Sequence, residues 1–255
     1  MMTKGPLSIQ ETNLSHAWAK AFLAAAAPGG REISPLIVTV TGFIDNRPIE
    51  TPSIRQMLDQ ALLDNNALLC ETVASTIFPQ SLWNPSAGRE QLFQRYEDLL
   101  PGLKKLEASN KYGLYFERLI AFGPGPEKVN QLDHIIRTYQ GGNHRRSALQ
   151  ASVFDPCVDH TNQPRRGFPC MQQVAFAPCG NGEMAVTAFY AVQHLFEKAY
   201  GNYLGLCRLG HFMAHELGLR LTRLTCIAGV AKLGNVNKRD IQELCQELKA
   251  LKIST

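Results

Sequence analysis

Apolar residues along this chain recur every three or four positions in some stretches and cluster in β-branched runs in others. The pattern predicts helices and strands in mixed order. Residues 13–27 form a helical repeat that stops at Pro28-Gly29-Gly30, and Pro35-Leu36-Ile37-Val38-Thr39-Val40-Thr41-Gly42 reads as a strand bounded by turn residues. Thr51-Pro52-Ser53, a capping residue and an early proline, opens a helix carrying Ile54, Met57, Leu58, Ala61 and Leu62. Further helices are predicted over 67–77 and 88–100. After the loop Pro124-Gly125-Pro126 another carries Val129, Leu132, Ile135, Ile136 and Tyr139 and closes at Gly141-Gly142. Residues 148–153, 171–177, 183–190 and 221–228 read as strands. The longest helix spans 202–217, with Leu206, Leu209, Phe212, Met213 and Leu217 on its repeat, and a last helix spans 237–252. Strands and helices without regular βαβ alternation predict the α+β class. With no linker or repeat, residues 1–255 are expected to form one domain.

Composition narrows the function classes. The 45% hydrophobic and 19% charged fractions are those of an ordinary globular chain. A net charge of +4 does not by itself point to nucleic acid, and it suits a site that draws in an anionic metabolite. No apolar run has the roughly 18 residues of a membrane span, and Phe22-Leu23-Ala24-Ala25-Ala26-Ala27 is too short and too far in for a signal peptide. Seven irregularly spaced cysteines read as thiols in a reducing compartment, so a cytoplasmic protein is expected.

The candidate chemistry centres on Cys170, in Arg165-Arg166-Gly167-Phe168-Pro169-Cys170-Met171, just ahead of a predicted strand. A thiol reacts as thiolate, and nearby arginines favour that form. Arg145-Arg146 and Arg165-Arg166 are double-arginine steps suited to bidentate phosphate recognition. On residue types alone Cys170 also reads as an inert buried thiol and these arginines as solvated loop residues. Asn202 also reads as a helix N-cap, Glu71 as a solvated carboxylate and Tyr112 as a strand-edge packing residue. His211 and His215 are four apart, a spacing that binds zinc, yet no third ligand is evident. Cys157, His160, Cys170 and Cys179 match no usual zinc spacing.

The order of these features resembles the thymidylate synthase and pyrimidine hydroxymethylase superfamily from Asn110 to Gly229. Lys111-Tyr112-Gly113 matches the family's tyrosine before glycine, and a helix over 130–139 then leads to Arg145-Arg146. Pro169-Cys170 matches its nucleophile step, and Asn202 its helix-opening asparagine. Upstream, Cys70-Glu71 is similar to its helix glutamate, and Arg31 to its first phosphate arginine. The resemblance implies a three-layer fold, a mixed β-sheet packed by helices, dimerising through the sheet. It also implies one-carbon transfer from 5,10-methylenetetrahydrofolate to C5 of a pyrimidine nucleotide, through a covalent adduct of Cys170 with C6. Tyr112 and Glu71 would move protons. Asn202 would read the base, and an asparagine there accompanies uracil in this family. Arg31, Arg145 and Arg146 would hold phosphate, the latter pair from a neighbouring subunit.

The chain also departs from the family. Tyr190-Ala191-Val192 stands where a Gln-Arg-Ser step is expected, and His194 where an aspartate contacts the folate. Gly229-Val230-Ala231-Lys232-Leu233-Gly234 replaces a ribose-binding strand, so phosphate and ribose recognition is expected to be rebuilt with Arg165, Arg166 or Lys232. The end of the chain, short of the family's closing tail, moves weight toward hydroxymethylation. The same departures keep open a binding protein that retains the fold without the reaction.

Overall fold

The computed structural model describes residues 3–28, 32–162, 168–251 and 253. Its sheet has six principal strands, β1 (Leu7–Glu11), β2 (Leu36–Val40), β3 (Gln150–Ser152), β4 (Met171–Gly180), β5 (Glu183–His194) and β6 (Arg220–Lys232). They lie in the order β1-β2-β6-β5-β4-β3, and the short strands Thr3–Lys4 and Glu32–Ile33 extend the sheet beside β6. β1 and β2 are parallel, as are β6 and β5, and the other neighbours are antiparallel. The protein is α+β with a mixed sheet, as the element order predicts.

The helices are α1 (Leu14–Ala26), α2 (Pro52–Asp64), α3 (Cys70–Ile77), α4 (Arg89–Leu106), α5 (Tyr115–Ile120), α6 (Gln131–Gln140), α7 (Tyr200–Leu217) and α8 (Lys238–Ala250). Strand alternation decides where they sit. Leu36, Val38 and Val40 of β2 and Leu224, Cys226 and Ala228 of β6 are buried under α1 and α7. Helices α2, α3 and α6 pack on that pair as an outer layer. α7 is thus apolar on almost every side, with fourteen residues buried, because it lies between the sheet and the outer helices. Gly201 and Gly205 let α3 approach it closely: a Cβ at Gly205 would lie 2.7 Å from the Ala74 carbonyl oxygen.

On the other face, Ile37, Thr39, Thr187, Phe189, Thr225 and Ile227 are half-buried or exposed, in register across β2, β6 and β5. Asn181-Gly182, both at positive φ, turns β4 into β5. Among the described residues no helix is long and apolar enough to cross a membrane.

Several boundaries differ from those predicted. β5 and β6 run on to His194 and Lys232 because their parallel pairing continues through Val192↔Val230 and Lys232↔His194. α4 continues through Pro101 to Leu106, since the carbonyl that the proline leaves without a donor, at Glu97, lies on an exposed face. Edge strand β1 and the six-residue α5 went unpredicted, being too short to show a period.

Candidate active site

Cys170 lies in the extended step between Pro169 and β4. Its carbonyl accepts the Ala191 N–H at 3.0 Å and the Gln172 side-chain amide at 3.2 Å, which ties it to β5. The residue is half-buried. Burial pushes its thiol up, and the Lys198 ammonium opposes that shift. Burial in turn lowers Lys198, against Glu197, Cys170 and Glu107, which stabilise its charge. Lys198 stays in contact with solvent, so the cation stands at the mouth of the site. Changing Lys198 to Met is expected to raise the pH at which Cys170 becomes reactive. Iodoacetamide alkylation rates measured across pH would show that midpoint moving up; an unchanged midpoint would remove Lys198 from the site.

The phenol beside Cys170 is that of Tyr115. Its hydroxyl group sits at the backbone of Cys170 and Met171, and burial pushes it well above the ordinary phenol range. Its ring lies 5.2 Å from that of Phe168, tilted by 42°. Tyr112, three residues earlier, lies in a 3-10 turn and lines a cleft with Lys104, Lys111 and Lys128, and the Lys111 ammonium lies 4.9 Å from its ring centroid. Neither Lys198 nor Tyr115 stood out in the sequence. The tyrosine-glycine step drew attention to Tyr112, and Lys198 takes its place through the turn that joins β5 to α7. Tyr190, paired with Met171, is fully buried with its hydroxyl unpartnered among the described residues.

Asn202 does not cap its helix. A π-turn over Leu195–Ala199 runs directly into α7, leaving Asn202 inside continuous helix. It is 4% exposed. Lys198 and Asn202 are four residues apart along these turns and so share a face.

Glu71 is placed differently from the expectation. Arg208 donates to both its oxygens, at 2.6 and 2.8 Å, and Arg55 donates at 2.8 Å. The arginines hold its carboxyl down to about 2. A carboxylate so clamped is ionised at neutral pH, and in this structure it ties α2 and α3 to α7. Because the folded value lies below the unfolded one, the clamp stabilises fully above the unfolded value of 4.5 and fades as pH falls toward about 2. Half exposure keeps the effect small, on the order of 1 kcal/mol or less. Urea midpoints of Glu71→Gln and the parent should therefore differ at pH 7 and converge near pH 2.

The other expected ligand residues scatter. Arg145 and Arg146 are exposed after α6. Lys232 pairs with Glu32 at 3.2 Å at the sheet edge. Arg31, Arg165 and Arg166 lie outside the described residues. His194 sits 3.8 Å from Glu197, whose other oxygen accepts the Asn235 N–H. A pteridine needs several donors and acceptors, and of the residues expected there the structure places His194, with its imidazole half-exposed. That set does not by itself make a folate site. His211 and His215 both pack edge-on against Trp83, and among the described residues no metal-binding cluster forms.

The chain is 28% identical over 134 residues to a Methanocaldococcus jannaschii protein described as "Putative thymidylate synthase". The match covers 52% of this chain and 58% of that relative, so the chain spans little more than half the relative's length. No family model matches the chain.

Proposed function

We propose that the protein activates C5 of a pyrimidine nucleotide, a uridylate by preference, and transfers a one-carbon unit to it. The observation that carries this reading is the meeting of a half-buried thiol, an ammonium and a phenol at Cys170. The Lys198 ammonium holds part of the thiol as thiolate, which adds to C6 and pushes the C5–C6 electron pair onto C5 and the C4 carbonyl. Asn202 donates to that carbonyl as charge gathers on it and accepts from the neighbouring ring N–H. A donor carrying carbon at the formaldehyde oxidation level would take the new bond from C5 and release its amine nitrogen, and the transferred carbon would then accept water to give a hydroxymethyl group or hydride from the reduced donor to give a methyl group. The Tyr115 phenol, neutral throughout, relays the C5 proton outward by hydrogen bonding, and loss of the thiolate from C6 restores the ring.

The resemblance names 5,10-methylenetetrahydrofolate as donor, which would supply carbon at the formaldehyde oxidation level, with His194 as one contact. The exposed Arg145 and Arg146, together with the half-bare sheet face, support a homodimer in which each subunit lends arginines to the other. Mass analysis of the nucleotide after incubation with donor tests the reaction. A gain of CH2 identifies a methylase and a gain of CH2O a hydroxymethylase. An unchanged nucleotide with every uridylate and cytidylate tried would sink the proposal.

A further inference from the structure

A cleft of about 340 Å³ opens beside α5, lined by Lys104, Lys111, Lys128 and Arg118 and by the loop through Gly123, Pro124 and Gly125. Among the described residues its lining holds one carboxylate, Glu117. Two of the cations are accounted for: Lys104 bonds Glu117 at 2.7 Å, and Arg118 bonds the buried Asp159 at 2.9 Å. Lys111 and Lys128, both exposed, have no carboxylate partner among the described residues, so the cleft keeps a net positive charge. Gly123 and Gly125 adopt positive φ, and a Cβ at either would meet nothing within 4 Å. The backbone there is open to a ligand, as anion-binding loops require. The cleft is also joined to the candidate active site through α5. Tyr115, at the start of that helix, touches the Cys170 backbone, and Arg118, one turn on, lies 5.5 Å from the Phe168 ring centroid.

We infer that this cleft binds a phosphoryl group, with Lys111 and Lys128 as its charged contacts. Two sources are compatible with that chemistry: the phosphate of the proposed nucleotide, for which Ala191 provides no arginine, or a separate phosphorylated metabolite. Only the first rests on the proposed reaction.

Isothermal titration of the full chain with pyrophosphate, dUMP and deoxyuridine tests the inference, with Lys111→Gln/Lys128→Gln beside the parent and Arg239→Gln as a distant control. Pyrophosphate should bind the parent, weaken at least about tenfold in the double variant, and be unaffected in the control. A parallel loss for dUMP but not for deoxyuridine would assign the phosphoryl group to the nucleotide. Unaltered dUMP binding with weakened pyrophosphate would assign it to another ligand and keep the site. Equal pyrophosphate affinity in parent and double variant, or none in the parent, would overturn the inference. A failed C5 reaction would leave the pyrophosphate result standing, so the two ideas fail separately.

Discussion

A Cys170→Ala chain is expected to fold as its parent does and to lose nucleotide turnover by at least about a thousandfold, as enzymes do when a covalent nucleophile is removed. The residue is half-buried in an extended step, and its backbone bonds to Ala191 and Gln172 do not involve the thiol, so alanine disturbs little of the packing. Thermal unfolding should therefore stay close to that of the parent while product formation disappears. A Cys170→Ala chain that turned over nucleotide at the parent's rate would remove the covalent step, and with it the roles given to Lys198 and Tyr115.

The second large effect is structural. Gly201 and Gly205 lie one turn apart on α7, and both are pressed against α3. A Cβ at Gly201 would come 2.5 Å from the Val73 Cβ and 2.8 Å from the Cys70 carbonyl oxygen, and one at Gly205 would come 2.9 Å from the Ile77 Cβ. The neighbours are backbone and branched carbon atoms that cannot yield, so Gly205→Val is expected to cost about 3 kcal/mol or more. Gly102, inside α4, gives the contrast, because a Cβ there would meet nothing within 4 Å. Gly102→Ala should be neutral or stabilising by about 0.5–1 kcal/mol. Urea midpoints for the two variants should move in opposite directions. A Gly205→Val chain as stable as the parent would mean that α3 and α7 are not packed this closely.

The fold was legible wherever a helix or strand was long enough to show its period. α1, α2, α3, α6 and α8 lie close to the predicted spans, and β2 and β4 begin at or near the predicted residues. What the sequence hid was set by pairing and packing. The lengths of β5 and β6 depend on each other, and edge strand β1 alternates over only five residues. The candidate site divides along the same line. Cys170 was visible as a proline-preceded thiol before a strand, and Asn202 as an amide at the start of an apolar helix. Glu71 was visible too, but nothing in its flanks announced that Arg55 and Arg208, 16 residues before it and 137 after it, would close on it. Lys198 and Tyr115 come near the thiol only through a π-turn and a six-residue helix, and neither leaves a periodic signal.

The central claim is that Cys170 adds to C6 of a pyrimidine and so activates C5. Deuterium exchange at C5 of dUMP, UMP, dCMP and CMP, followed by proton NMR in deuterated buffer with the parent and Cys170→Ala chains, tests it most directly, because exchange requires the adduct and no donor. The account predicts loss of the C5 proton signal from a uridylate with the parent chain and its retention with Cys170→Ala. Retention of all four C5 signals with the parent, or equal exchange by both chains, would contradict it.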